Sequence, residues 1–279
     1  MNLCIISPCG KEDDAIEQHI INLHNALCEM KEYYFAVCFI VDEYTSEKTM
    51  DILKMYSEKL SYIHVCEKPK HRKGLAGCYI AGYEIFLEDT DCDFVLEMDI
   101  ESHPYENIKD FIQQAQLGYD IVLGSRNLSL GKNLASFRRR LISGLGSFLC
   151  RSFLFLDLTD CTSGFQMFSR KVIENLDFDK FVSSSYFIQT ELKARVVNEL
   201  SNKTVQEIKS LPFYKRAAKR FFLMFSSTNS RRWKVKEIPF VYSGSASSIN
   251  YKKVLKSFIE FLKLRKDLLT ISIMAFIRG

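Results

Sequence analysis

The chain has 279 residues, of which 47% are hydrophobic and 26% charged, and its formal net charge is +4. This composition is typical of a folded globular protein with enough apolar residues for a sizeable core, and it excludes a disordered or collagen-like chain. The mild positive charge does not by itself predict nucleic-acid binding. The nine cysteines are dispersed, without a Cys-x-x-Cys pair or zinc spacing, which indicates reduced thiols in a cytoplasmic protein.

The chain offers no obvious way to enter or cross a membrane. Its first apolar run, residues 3–6, is too short for a signal peptide, and acidic residues follow soon after. No stretch reaches the roughly 20 apolar residues of a membrane-spanning helix, and the nearest, residues 268–277, is too short. We therefore expect a cytoplasmic protein that does not span a bilayer but can lie on its inner face.

Short apolar runs alternate with helical patterns in the first half of the chain. The runs predicted to be buried strands are residues 3–6, 35–41, 62–65, 94–98 and 121–123. The helical spacing between the first two runs is carried by Ile16, Ile20, Leu23 and Leu27. This alternation predicts an α/β fold, with a mostly parallel sheet flanked by helices and right-handed crossovers.

The second half is less regular. Its predicted elements are helices over 138–155 and 186–198, a turn over 160–165, a strand over 235–242 and a basic amphipathic helix over 251–265. The segment 201–232 carries eight Lys or Arg residues against one acid. We divide the chain into a main α/β domain (1–200), a basic amphipathic insertion (201–232), the final strand region of the main domain (233–250) and a C-terminal amphipathic helical tail (251–279).

Charged and small residues follow the predicted strands where each strand ends. The segments concerned are residues 7–12, 42–43, 99–101 and 124–126. Ligands of parallel sheets bind beyond the carboxyl ends of the strands, so these segments are expected to face a common ligand. Asp99 and Glu101 can share one hard divalent cation, Mg²⁺ or Mn²⁺, that also holds diphosphate oxygens.

Several segments resemble one known family in the family's own order. Residues 98–104, Met-Asp-Ile-Glu-Ser-His-Pro, resemble the M-D-A-D-L-S-H-P signature of dolichol-phosphate mannose synthases and their bacterial polyprenyl-phosphate relatives in glycosyltransferase family 2. The other matching segments are residues 8–12, 41–49, 73–76, 124–126, 138–143, 160–165 and 236–239. Glu101 and Glu43 stand where aspartate is usual, and residues 244–249 lack the family's D-R-x-x-G-x-S-K tail.

The resemblance implies a GT-A fold and an inverting transfer of a hexose from a nucleotide diphosphate sugar to a polyprenyl phosphate. The residues it assigns to the donor are Pro8, Glu12, Asp42, Gly74 and Asp99. The residues it assigns to the acceptor phosphate are Arg126, Arg139 and Ser143. Asp99 and Glu101 would hold the metal, and the catalytic set would be Asp99, Glu101 and Arg126.

The chemistry of these residues agrees with that division. Arg139 and Ser143 are four residues apart and share one helical face, and a guanidinium forks onto phosphate oxygens. A phosphate monoester, whose second pKa is near about 6, is largely ionised at pH 7, so the acceptor needs orientation rather than a general base. His103 is either a partner of the metal site or a packing residue, and its sequence context does not distinguish the two.

A basic helix is predicted within the insertion. Its aromatic and small side is formed by Tyr214, Ala218, Phe221 and Phe225, and its basic side by Lys215, Arg216, Lys219 and Arg220. Basic residues beside aromatic ones are typical of a helix that lies on an anionic lipid surface, although an ordinary amphipathic helix on the core has the same pattern. The tail 251–277 repeats the pattern. A membrane surface is therefore an expected partner, and nucleic acid is not.

Three other functions fit parts of the pattern. A family 2 transferase could add sugar to a saccharide acceptor, which would require a catalytic carboxylate over the acceptor hydroxyl. A sugar nucleotidyltransferase would require a glycine-rich G-G-x-G-T-R loop, which this chain does not have. The altered Asp-x-Glu segment would also permit a non-catalytic module that binds a nucleotide sugar or a lipid.

Overall fold

The computed structural model describes residues 1–13, 15–100, 103–197, 210, 232–243 and 251–278, with side chains in the last segment through residue 268. The strands are β1 (Asn2–Pro8), β2 (Tyr34–Val41), β3 (Ile63–Glu67), β4 (Phe94–Glu97), β5 (Ile121–Ser125), β6 (Lys132–Asn133), β7 (Gln166–Ser169), β8 (Val235–Pro239) and β9 (Val241–Tyr242). The helices are α1 (Ile16–Cys28), α2 (Glu47–Lys59), α3 (Gly74–Asp89), α4 (Asn107–Gln116), α5 (Phe137–Phe153), α6 (Arg170–Ile173), α7 (Ile188–Val196) and α8 (Tyr251–Arg278), with a 3₁₀ helix at Phe178–Lys180.

The elements predicted from periodicity are present. The five predicted strands of the first half are β1 to β5, and the helices predicted over 138–155 and 186–198 are α5 and α7. The strand predicted over 235–242 is wrong in one respect, because it is interrupted at Phe240. Its first part, β8, joins the main sheet, whereas β9 pairs with β6 in a separate two-stranded sheet.

The main sheet has the strand order β3-β2-β1-β4-β7-β5-β8 within the described residues. All neighbouring pairs are parallel except those of β7, which runs antiparallel between β4 and β5. Gln166 at the start of β7 pairs with Glu97 at the end of β4 and with Leu123 in β5. The turn before β7 is therefore held at the carboxyl edge of the parallel strands, where ligands bind in such sheets.

Two apolar layers cover the two faces of the sheet. Because side chains alternate along a strand, Leu3 and Ile5 of β1 lie in one layer with α1 and α4, and Cys4 and Ile6 lie in the other with α3 and α7. The predicted mostly parallel α/β fold is thus confirmed, and both faces are buried as expected for such a sheet.

The C-terminal helix packs onto the second of these layers. α8 includes the basic helix predicted over 251–265 and continues along the predicted helical tail 251–279, and its Phe261 and Leu264 are buried in the core. Among the helices that the structure describes, none combines the length and the apolarity needed to cross a membrane. Apart from residues 210 and 232, the predicted insertion 201–232, including its basic helix, lies outside the described residues.

Candidate active site

One cavity of about 820 Å³ opens at the carboxyl edge of the sheet. The sequence-predicted residues that line it are Pro8, Glu12, Asp99, Arg126, Arg139 and Ser143. Asp42 and Gly74 lie at the same edge but are not among its lining residues, although Leu75 is. Glu101 lies outside the described residues. The topology thus brings Pro8, Glu12 and Asp99 of the predicted donor set into one cavity with the three predicted acceptor residues.

The loop after β1 forms one side of the cavity. The backbone N–H of Gly10 donates to the Glu12 carboxylate, and the Glu12 carbonyl accepts from Ile16 at the start of α1 at 2.8 Å. Asp42, directly after β2, accepts from the backbone N–H of Tyr44 at 2.9 Å. These local bonds fix the carboxylates of Glu12 and Asp42 at the ends of neighbouring strands.

Asp99 follows β4 and presents its carboxylate to the cavity. The Tyr79 hydroxyl from α3 donates to its Oδ1 at 2.5 Å. His103 accepts from the backbone N–H of Asp99 through Nδ1 at 2.9 Å, so the ring proton lies on Nε2, which is 3.8 Å from Asp99 Oδ2. Burial lowers the pKa of His103 to about 4, so at neutral pH this ring orients Asp99 without neutralising it.

His103 both packs against the core and contacts Asp99, and its predicted role as a partner of the metal site stays a prediction. Its ring stacks on Phe165, with centroids 4.5 Å apart and planes 12° from parallel, and it also lines the cavity. It packs against the core on one side and orients the Asp99 backbone on the other.

The centre of the predicted acceptor side is a buried ion pair. Arg126, at the end of β5, forks onto Asp160 with Nε–Oδ2 and Nη2–Oδ1 distances of 2.7 and 2.8 Å. The two side chains are 9% and 0% exposed. Burial disfavours the charge on each, but the pair outweighs it, so the pKa of Asp160 is lowered and that of Arg126 is raised.

Arg126 also lies next to the other two predicted acceptor residues, Ser143 and Arg139. Its Nη2 donates to Ser143 Oγ at 3.1 Å and to Thr162 Oγ1 at 2.8 Å, and those hydroxyls lie 2.7 Å apart. The guanidinium groups of Arg126 and Arg139 lie 5.3 and 5.5 Å from the centroid of the Tyr242 ring. Two guanidinium groups and two hydroxyls thus converge on one wall, a set suited to a phosphate monoester.

The turn that carries Asp160 is fixed by groups from outside it. The Glu237 carboxylate in β8 accepts from the backbone N–H groups of Thr159 and Asp160, at distances of 2.9 to 3.1 Å. The buried ammonium of Lys193 in α7 donates to the Ser163 carbonyl at 2.5 Å. At Gly164, a Cβ would lie 1.9 Å from the Gln189 amide nitrogen, so any larger residue there would displace the Gln189 side chain.

These supporting groups were not predicted as site residues. Tyr79, Asp160, Lys193 and Glu237 belong to four different elements, and nothing in their local sequence spacing marks them as neighbours. Asp160 offered the clearest signal, because it stands in a predicted turn at the head of a matching motif. Lys193 offered none, since a lysine within a predicted helix is ordinarily solvent-exposed.

The fit of a divalent cation depends on the carboxylates at this edge. Asp99 supplies hard oxygen atoms that face the cavity, as such a cation requires. The described residues contain no cluster of three or more His, Cys, Asp or Glu side chains arranged to hold a metal ion. Asp99 therefore fits as one ligand of such a cation, and Glu101, the second predicted ligand, lies outside the described residues.

The remaining lining of the cavity is largely apolar. Its apolar lining residues from α5 are Ile142, Leu145 and Leu149, and those from α8 are Val254, Leu255, Phe258 and Phe261. The cavity thus has a charged part at the sheet edge and an apolar part between two helices.

A family model described as glycosyl transferase family 2 matches residues 4–177 of this chain. The match includes every candidate site residue on the sheet edge, from Pro8 to Ser143, and the turn at Asp160. The chain belongs to glycosyl transferase family 2. It is therefore a glycosyltransferase by family, and the resemblance found in the motifs is confirmed.

Two characterised proteins show which members of the family are similar. The chain is 28% identical over 197 residues to an undecaprenyl-phosphate mannosyltransferase of Micrococcus luteus, covering 70% of this chain and 77% of that protein. It is also 28% identical over 139 residues to a polyprenol monophosphomannose synthase of Mycolicibacterium smegmatis, covering 49% of this chain and 51% of that one.

A solved structure confirms the GT-A architecture. Glucosyl-3-phosphoglycerate synthase of Mycobacterium tuberculosis, determined with Mn²⁺, UDP and glucosyl-3-phosphoglycerate, superposes with a TM-score of 0.58. The superposition covers 95% of this chain and 80% of that one at 11% identity, so the likeness is one of fold.

The buried ion pair should dominate the stability of the site. Asp160→Asn leaves Arg126 without its compensating charge, so we expect the free energy of unfolding at pH 7 to fall by about 3–5 kcal/mol. Because the pKa of Asp160 is lowered on folding, the wild type should keep this stabilisation above its unfolded pKa of about 4 and lose it at lower pH.

Urea denaturation at pH 7 measures this loss. Asp177→Asn is the matched control, because Asp177 forms an exposed ion pair with Lys180 and its neutralisation should hardly change the midpoint. Equal midpoints for the Asp160 variant and the wild type would contradict the central role of the pair.

Proposed function

We propose that the protein transfers a hexose from a nucleotide diphosphate sugar to a polyprenyl phosphate, with inversion of the anomeric configuration. The observation that carries this proposal is the wall of Arg126, Arg139 and Ser143 in one cavity with Asp99. The similarity to two polyprenyl-phosphate mannosyltransferases supports the acceptor and makes mannose the first sugar to test.

The proposed reaction is one in-line displacement. An acceptor phosphate oxygen forms a bond to the anomeric carbon, and the bond from that carbon to the donor diphosphate breaks, with its electron pair leaving on the diphosphate. No proton has to be removed, because the phosphate is already ionised near pH 7. Arg139 and the hydroxyls of Ser143 and Thr162 orient the phosphate, and attack opposite the leaving group inverts the configuration.

Asp99 acts on the donor side. We propose that it binds Mg²⁺ or Mn²⁺ together with Glu101, and a bound cation supplies charge compensation for the departing nucleoside diphosphate. Tyr79 and His103 fix the direction of the Asp99 carboxylate through the contacts described above. Pro8, Glu12, Asp42 and Gly74, on neighbouring loops of the same edge, are proposed to bind the rest of the donor.

The cavity favours a phosphate acceptor over a saccharide. A saccharide hydroxyl has to lose a proton, so its transferase needs a carboxylate poised beside the acceptor. Among the described lining residues the carboxylates are Glu12 and Asp99, which lie at the ends of β1 and β4 rather than among the acceptor arginines. A phosphate needs cations instead, and those line the acceptor side.

We further propose that the protein works as a peripheral protein on the cytoplasmic face of a membrane, where a polyprenyl phosphate resides. Phe137, Leu141, Leu145 and Phe148 are exposed on α5 and fall within one side of the helix. Arg138 and Arg140 flank this stripe. Apolar side chains with adjacent arginines suit a helix lying on anionic lipid, beside the cavity mouth.

Removing the charge of Asp99 should stop transfer without unfolding the protein. Asp99→Asn keeps an oxygen that accepts from Tyr79 but loses the charge that compensates the donor, so kcat should fall about 10²-fold or more. Transfer from GDP-mannose to a polyprenyl phosphate, with excess Mn²⁺ and after chelation, measures this effect.

Glu106→Gln is the control for this variant, because Glu106 is an exposed carboxylate that precedes α4 in the same region of the chain. Its activity should match the wild type. A fully active Asp99 variant, or a wild type indifferent to chelator, would remove Asp99 from the metal site.

We expect Arg139 to bind the acceptor phosphate rather than the donor. Arg139→Ala removes one guanidinium from the phosphate wall, so we expect KM for the polyprenyl phosphate to rise about tenfold or more, with the donor KM little changed. Arg151→Ala is the control, because Arg151 is exposed in the last turn of α5 and does not line the cavity. A rise in the donor KM alone would assign Arg139 to the diphosphate.

The exposed stripe on α5 should hold the protein on lipid. Replacing both Leu141 and Phe148 with glutamate puts charge into the proposed contact, so the protein should leave vesicles containing anionic lipid in a sedimentation assay. Leu117→Glu is the control, since Leu117 is 70% exposed and lies between α4 and β5, at the opposite edge of the sheet. Unchanged sedimentation of the double variant would refute α5 as the contact.

A further inference from the structure

A buried carboxylate fixes α8 against the cavity. Glu260 is 4% exposed in the middle of the helix. Its Oε1 accepts from the backbone N–H and the hydroxyl of Ser184 at 3.0 and 2.9 Å, and its Oε2 accepts from the Ser185 hydroxyl at 2.7 Å. Three hydrogen bonds to one ionisable carboxylate form a directional anchor, which the apolar contacts of Phe261 and Leu264 in the core do not provide.

The anchor attaches α8 to a segment that is itself held firmly. The Glu191 carboxylate of α7 accepts from the backbone N–H groups of Val182 and Ser183 at 3.0 and 2.9 Å. On another side, the Ser184 carbonyl lies so close to Gly74 that a Cβ there would be 2.4 Å away. Glu260 thus connects the C-terminal helix to a fixed point beside the start of α3.

Aromatic packing sets the rotation of α8 at this point. Phe261, next to the anchor, makes edge contacts with Phe153 of α5 and Phe187, each with ring centroids 6.4 Å apart. With Glu260 and Phe261 turned inward, Val254, Leu255 and Phe258 line the cavity. Leu255 and Phe258 remain 55% and 44% exposed, so a ligand in the cavity can still bury apolar area on them.

The apolar cleft between α5 and α8 is continuous with the phosphate wall. Ile142 and Leu149 line it from the same helix that supplies Arg139 and Ser143, so a group bound by those two residues enters the cleft directly. A saccharide next to the phosphate would leave these apolar side chains without a complementary partner. A hydrocarbon chain attached to the phosphate would bury them, and removing this apolar surface from water is favourable.

We propose that α8, clamped by Glu260 to Ser184 and Ser185, selects the acceptor by binding the first isoprene units of its chain against α5. Glu260 is then a positioning residue, because it acts on the acceptor through the helix that it holds. This inference rests on the proposed transfer to a polyprenyl phosphate, and it assigns chain recognition to a helix outside the segment that matches the family.

The test compares acceptors that share a phosphate and differ in chain length. In detergent, without a membrane, Glu260→Ala should lower kcat/KM for a long-chain polyprenyl phosphate about tenfold, equivalent to losing about two buried methylenes. kcat/KM for a one-isoprene phosphate and KM for the donor should change little. Leu255→Ala, which keeps the anchor and removes part of the wall, should show the same selective loss.

Two further variants separate positioning from general damage. Glu260→Gln retains an oxygen acceptor and should recover most long-chain activity. Asp267→Ala removes the partially exposed partner of Arg195 on the same helix, outside the cavity, and should behave as the wild type. If Glu260→Ala lowers both chain lengths equally, or raises only the donor KM, the inference is wrong while the proposed function stands. Absence of wild-type transfer to either acceptor would instead refute the proposed function.

Hydrogen exchange provides a readout independent of turnover. A long-chain polyprenyl phosphate should slow exchange of the amides of residues 251–268 in the wild type, and inorganic phosphate should not. Glu260→Ala should abolish this protection. If a long-chain acceptor binds the wild type but leaves hydrogen exchange in α8 unchanged, the proposed role of this helix is wrong.

Discussion

The buried pair of Arg126 and Asp160 is the interaction on which the candidate site depends. It joins the end of β5 to the turn before β7, and through Ser143 it reaches α5. Desolvating two charges is costly, and only the forked geometry with further hydrogen bonds offsets that cost. The turn is also held by Glu237 and Lys193, so the pair is one member of a network whose geometry is set before any ligand arrives.

This pairing also determines how charge is distributed over the cavity. Because the Asp160 carboxylate compensates the charge of Arg126, Arg126 contributes chiefly oriented hydrogen-bond donors. Arg139 adds positive charge on the same wall. On the other side, burial lowers the pKa of His103 to about 4, so the neutral ring leaves the charge of Asp99 available at neutral pH. In the proposed reaction, a negative donor site with its cation thus faces a positive acceptor site, as phosphate attack on a sugar diphosphate requires.

The sequence predicted the sheet edge well and the supporting groups poorly, for physical reasons. The buried strands β1 to β5 are continuous apolar runs, and their carboxyl ends must share one edge, so Pro8, Asp99 and Arg126 could be placed together from pattern alone. β7 begins with Gln166 and ends with Ser169, so it lacks a continuous apolar run, and its antiparallel insertion determines where Asp160 lies. Tyr79 and Lys193 reach the site from the middle of helices, where only the packing of α3 and α7 decides which side faces the cavity.

The C-terminal helix shows how one buried polar residue can set which side of a helix faces the core. The repeating pattern over 251–265 predicts an amphipathic helix but not what it covers, because apolar residues occur on both its buried and exposed sides. Glu260 decides which side of the helix is buried. A carboxylate inside a packed interface requires hydrogen-bond donors, and Ser184 and Ser185 supply them. Rotating α8 by one residue would separate this carboxylate from its donors on Ser184 and Ser185 and lose their charge-assisted hydrogen bonds. The anchor therefore excludes the alternative rotations of α8, and in doing so it fixes which apolar side chains face the proposed acceptor chain.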